Sequence, residues 1–64
     1  MRIKKLADIP RDAVVHIVIE DVVFTAYVGD VAVASCPSAR KLSNWLLDNG
    51  ALKVIHKYDL RLES

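Results

Sequence analysis

Few side chains here can do chemistry: two histidines, His16 and His56, one cysteine, Cys36, and eight carboxylates spread along 64 residues. Nucleophilic catalysis requires a nucleophile within about 3 Å of a base, and Cys36 with a histidine is the pairing of that type. A zinc site requires several Cys or His at close, fixed spacing, which this chain lacks. Gly29 and Gly50 stand too far apart to make a phosphate-cradling loop. The residues therefore predict no metal and no cofactor. They leave the Cys–His pair to be decided by the elements that position it.

The basic residues suggest a second kind of chemistry. A formal net charge of +1 excludes the strongly basic character of non-specific nucleic-acid binders but leaves room for a local patch. Arg40 and Lys41 open a predicted helix, and Lys53, Lys57 and Arg61 line one side of a predicted last strand. These five are the candidate contacts to a nucleic-acid backbone. Asp59 and Glu63 interrupt the strand row, and no aromatic platform for single strands accompanies it. A solvated charged face is the favoured reading of this set, with nucleic-acid binding as the alternative.

Hydrophobic residues make up 53% of the chain, too many for a disordered segment and too interrupted for a span of about 20 apolar residues. The basic start, Met1 to Lys5, is followed by Leu6-Ala7-Asp8-Ile9-Pro10-Arg11-Asp12, which supplies no apolar stretch of a signal peptide. A single cysteine cannot form an internal disulfide and fits a reducing compartment. The expectation is one cytoplasmic domain over 1–64 with no membrane partner.

Val, Ile, Phe, Thr and Tyr dominate 13–36, as in strands. Val28-Gly29-Asp30-Val31 offers a two-residue hairpin turn, which pairs Val28 with Val31, Ala26 with Val33 and Phe24 with Ser35. A turn at Glu20-Asp21 pairs Ile19 with Val22, Ile17 with Phe24 and Val15 with Ala26. Because Glu-Asp lacks the glycine or asparagine that such a turn favours, a wider loop or bulge is expected there. The antiparallel meander spans 13–19, 22–28 and 31–36. Residues 1–12 form a lead-in that offers an edge strand at Arg2 to Leu6.

A helix is predicted over 38–48. It has Ser35 or Ser38 as its cap, Pro37 at its start and Asn49-Gly50 as a left-handed stop. Ala39, Leu42, Trp45 and Leu46 form its apolar stripe, and Leu47 falls outside that stripe. Alternation over 52–62 predicts a last strand, with Leu52, Val54, His56, Tyr58, Leu60 and Leu62 on the helix side. A right-handed crossover returns this strand parallel to the first meander strand. The fold class is α+β, a βββαβ domain in the sheet order third, second, first, last.

This register separates Cys36 from His16 by about 11 to 12 Å and turns His56 toward the helix. That argues against catalysis and makes Cys36 a small buried apolar residue. It also leaves the second face of the meander without charge: Val14, His16, Val18, Val23, Thr25, Tyr27, Ala32, Ala34 and Cys36. A sheet face in water normally carries charged or strongly polar residues. The expectation is that a second copy or another protein covers this face, with Val14, His16, Val18, Val23, Thr25 and Tyr27 as its contacts. The competing reading folds Ile3, Leu6 and Ile9 over it.

The order βββαβ resembles the partial RNase H-like fold of HicB-type antitoxins. Val18-Ile19-Glu20 before Phe24-Thr25-Ala26-Tyr27-Val28 is similar to their opening hairpin, while the turn sequences that follow in that family are missing here. In size and order the chain also resembles small phage-encoded inhibitors of host proteins, including anti-CRISPR proteins. These resemblances imply a regulator or inhibitor rather than an enzyme, and they assign no residue a role.

Overall fold

The computed structural model describes residues 3–57. Along these the chain forms β1 (Lys4–Lys5), β2 (Val14–Glu20), β3 (Val23–Val28), β4 (Val31–Cys36), α1 (Ala39–Asp48) and β5 (Lys53–His56). The five strands make one mixed sheet in the order β1-β4-β3-β2-β5. The predicted α+β class and crossover are observed: β5 lies parallel to β2, with Val15 opposite Val54. The predicted order is also present, with β1 added beside β4 through Lys4 opposite Ser35 and Lys5 opposite Ala34. The predicted strand at 52–62 is described as Lys53–His56, and its continuation through Tyr58, Leu60 and Leu62 lies outside the described residues, as does Arg2.

The first hairpin differs from the predicted register. Ile17 pairs with Ala26 and Ile19 with Phe24, so the tight turn is Asp21-Val22 rather than Glu20-Asp21. The difference is two positions along β3, which keeps every side chain on its predicted side. Asp21 supplies the positive φ that a two-residue turn requires, at 58°, so no wider loop is needed.

The third strand departs further. Val28 pairs with Val31 as expected, but Tyr27 meets Ala32 and Ala26 meets Ala34, leaving Val33 as an extra residue in a bulge. An unbulged strand would turn Val33 and Ser35 toward the helix and Ala34 and Cys36 away from it. The bulge instead buries Val33, Ala34 and Cys36 together, at 1%, 0% and 2% exposure, and spares the Ser35 hydroxyl a place in the core. The Val33 carbonyl accepts hydrogen bonds from the Leu6 and Ala7 N–H groups at 2.8 and 3.2 Å. It thereby seats the N-terminal segment.

The helix is amphipathic as read. Leu42 and Leu46 are fully buried, Trp45 packs against the core from its margin, and Leu47 is exposed. Ser38 is the N-cap, its Oγ accepting the Lys41 N–H, so Pro37 precedes the helix instead of entering its first turn. At the other end Gly50 adopts φ 101°. Its N–H donates to the Leu47 carbonyl, and the Ala51 N–H donates to that of Leu46, satisfying two end-of-helix acceptors and burying Ala51. This turn leaves Leu52 65% exposed, against its predicted place on the helix side.

Val15, Ile17, Ala26, Val33, Ala34, Cys36, Leu42, Leu46 and Ala51 form the core between α1 and the sheet. Ile3, Ala7 and Ile9 pack against this same cluster, while Leu6 is exposed. The lead-in thus closes the flank of the core and does not cross to the other face.

Candidate functional site

The face of the sheet opposite α1 is built by the even positions of β2 and the odd positions of β3. The ladder sets His16 beside Tyr27, Val18 beside Thr25 and Glu20 beside Val23. On β5, Lys53 lies beside Val14 and Ile55 beside His16; Lys57, whose N–H bonds to the Ile17 carbonyl at 2.8 Å, continues the alternation past Ile55. On the other side, Ala32 adjoins Tyr27, Ser35 adjoins Thr25, and Lys4 adjoins Ser35. All six predicted interface residues, Val14, His16, Val18, Val23, Thr25 and Tyr27, therefore share one surface. Among the described residues no helix or loop packs over it.

Two predicted members of this face are absent from it. Ala34 and Cys36 lie in the core because the bulge at Val33 reverses the phase of β4. The face is also less free of charge than the meander implied: Glu20 stands at one end of β2, and Lys4, Lys53 and Lys57 stand on the outer strands. Between these charges, Val18, Thr25, Tyr27 and Ile55 form an uncharged centre. Sequence reading passed over Ile55, although its place between Lys53 and Lys57 in the alternation was the signal for it.

One hydrogen bond organises the centre. Tyr27 Oη donates to Glu20 Oε2 at 2.9 Å. The two residues are about four ladder positions apart, roughly 13 Å, so both side chains must extend toward each other over the Val18–Thr25 pair. Thr25 is accordingly only 5% exposed although it lies on the uncovered side. The bond to Glu20, with lesser help from burial and from the carboxylate charge, holds the Tyr27 hydroxyl above the usual phenol range.

Cys36 and the histidines do not come together. Cys36 is buried on the helix side, its Sγ accepting the Ser38 N–H at 3.4 Å, whereas His16 is on the opposite face with the sheet between them. His56 pairs with Ile17 and so points to the helix side of β5, where its ring is exposed. No group of three potential metal ligands occurs among the described residues.

The nucleic-acid candidates are divided. Lys53 and Lys57 share the uncovered face. Arg40 and Lys41 lie in the first turn of α1, on the other layer, where no acidic residue balances them against the helix dipole. Arg61 lies outside the described residues. Two shallow depressions, about 240 and 260 Å³, flank the helix side. The first joins the 3.1 Å Lys5–Asp8 ion pair to Trp45 and Asn49, and the second is lined mainly by Pro10, Val28, Val31 and Val33. Neither holds a nucleophile beside a base.

No described helix is long and apolar enough to cross a membrane. Comparison of the chain with protein-family models, curated proteins and solved structures finds no match.

Proposed function

We propose that this protein is a non-enzymatic interaction module, a regulator or inhibitor that acts by occupying a protein surface, and that it self-associates through the sheet face opposite α1. The observation that carries this reading is the composition of that face: a neutral centre of Val18, Thr25, Tyr27 and Ile55, extended by Val14 and Val23 at its two ends, with lysines confined to the outer strands. Uncharged centres with charged rims are the usual anatomy of protein interfaces. The route taken by Ile3, Ala7 and Ile9 supports it further, since they spend their apolar surface on the core. Four strand spacings by six residues give a face on the order of 400 Å² in projection, small beside the roughly 800 Å² per partner of a standard interface. The dimer is therefore weak, with a dissociation constant in the micromolar range or above.

Sedimentation equilibrium from about 10 µM to 1 mM tests this, with dimer expected to grow over that range. Val23→Asp, which sets a second carboxylate beside Glu20 at the end of the neutral centre, is expected to weaken association by about tenfold or more while leaving the thermal melt unchanged. A wild-type protein that remains monomeric throughout rejects the reading.

A nucleic-acid role has one observation in its favour, the shared orientation of Lys4, Lys53 and Lys57 toward the uncovered face. It predicts fluorescence-anisotropy binding to a short single strand that weakens steeply with salt and falls further in the Lys53→Glu, Lys57→Glu variant. Absence of binding at low salt excludes it.

A further inference from the structure

We infer that the protein partner of this module presents an acidic amphipathic helix, whose apolar stripe lies along β2 and β3 on the uncovered face and whose flanking carboxylates meet Lys53 and Lys57 on one side and Lys4 on the other. This partner chemistry rests on the interaction-module reading above and extends it, since it names an occupant that displaces the weakly bound second copy.

Charge distinguishes the two occupants. Among the described residues the face carries three lysines, Lys4, Lys53 and Lys57, against one acid, Glu20. The lysines are exposed, and among the described residues none of them is in an ion pair. Tyr27 draws the Glu20 carboxylate over the Val18–Thr25 pair, and Lys57 is level with Val18 because His56 adjoins Ile17. Glu20 thus lies beside Lys57 and leaves Lys4 and Lys53 unbalanced. A second copy brings the same positive excess to the contact, which limits self-association. A partner with carboxylates at its margins and none at its centre complements both the rim and the middle of the face.

The dimensions fit a helix. Lys57, Val18, Thr25, Ser35 and Lys4 make one row across the sheet. The lysines at its ends are four strand spacings apart, about 19 Å. An α-helix is about 10 to 12 Å across with its side chains, which leaves a few ångströms on each side for glutamate and lysine to span. Lys53 and Lys57 are about 13 Å apart along their strand, within side-chain reach of two acids spaced by a heptad, about 10.5 Å. Val18, Tyr27 and Ile55, each half-buried, receive the apolar stripe, and the helix completes on this face the layering that α1 makes on the other. A nucleic acid held by the same lysines would carry its phosphates across the Glu20 carboxylate.

Calorimetric titration with a designed peptide tests the assignment. The probe is a capped helix of about 16 residues, about 24 Å long to match β2, with leucines along one stripe and glutamates on both flanks. Its twin carries lysine in place of every glutamate. The glutamate peptide is expected to bind about tenfold or more tighter than the twin at low salt, and to weaken about tenfold between about 50 and 500 mM salt. Self-association should respond in the opposite sense and tighten as salt screens the lysines. Lys53→Gln with Lys57→Gln, and Lys4→Gln separately, should each weaken the glutamate peptide, whereas Arg40→Gln with Lys41→Gln, on the other layer, should not. All these side chains are exposed, and thermal melts check that each variant is folded. Where one is not, the peptide pair and the salt series on the wild type decide. Equal binding of the two peptides, or binding that follows Arg40 and Lys41, overturns the inference. Displacement of the glutamate peptide by a short single strand that needs Lys53 and Lys57 also overturns it, in favour of nucleic acid. A wild-type dimer with no preference between the peptides overturns the acidic partner alone. A monomer that still prefers the glutamate peptide overturns the dimer alone.

Discussion

Replacing Leu46 by alanine is expected to remove about 2 to 5 kcal/mol of folding stability. The side chain is fully buried in the cluster that also holds Leu42, Ile17 and Val15, in the layer between α1 and the sheet. Among the described residues no second layer stands behind the helix to collapse into the space. A domain of 64 residues has about 3 to 10 kcal/mol to lose, so this one substitution consumes a large share. It should lower the melting temperature by about 10 to 30 °C. The Leu46 carbonyl accepts the Ala51 N–H from either side chain, so the helix stop survives and the loss reports packing. Leu47→Ala, one position along on the exposed side, is the control and should cost less than about 1 kcal/mol. Equal melts for the two variants would mean that the helix buries a different stripe.

That contrast is legible in the sequence, because helical periodicity is a strong signal over ten residues and the stop at Asn49-Gly50 is a chemical one. The two faces of β2 and β3 were legible for a related reason. An error of two positions in pairing preserves sides, so the six residues of the neutral face were found together although the partner of each was misassigned. What the alternation did not reveal was the phase of β4. Val33-Ala34-Ser35-Cys36 offers two competing alternations, and the turn alone selects the one that puts Ser35 inside. The cost of burying a hydroxyl against Phe24 was the available clue, since it favours a phase change between Val33 and Ala34. The charges at the margins were missed for a topological reason. Lys53 and Lys4 are far apart in the chain, and only the sheet order brings their strands to the two sides of one surface.

Deleting Val33 is the sharpest test of that phase change. The pairs on either side, Tyr27 with Ala32 and Ala26 with Ala34, are those of a regular ladder once the extra residue is gone. The variant is therefore expected to keep Ala34 and Cys36 on the helix side, and Cys36 should stay unreactive to a thiol probe in the folded protein. Two things are lost. A valine side chain only 1% exposed leaves the core, at a cost of about 2 kcal/mol. The acceptor shared by the Leu6 and Ala7 N–H groups also disappears, so the segment from Ile3 to Ile9 should exchange its amides faster and become open to proteolysis. Val33→Ala separates the two effects, because it removes the side chain and keeps the carbonyl: stability falls by a similar amount while the N-terminal segment stays protected. If Cys36 in the deletion variant reacts as fast as in the unfolded chain, the strand has slipped and the bulge does not set the register. Protection of the N-terminal segment in both variants would instead show that Ile3, Ala7 and Ile9 are held by packing alone, with the Val33 carbonyl adding nothing.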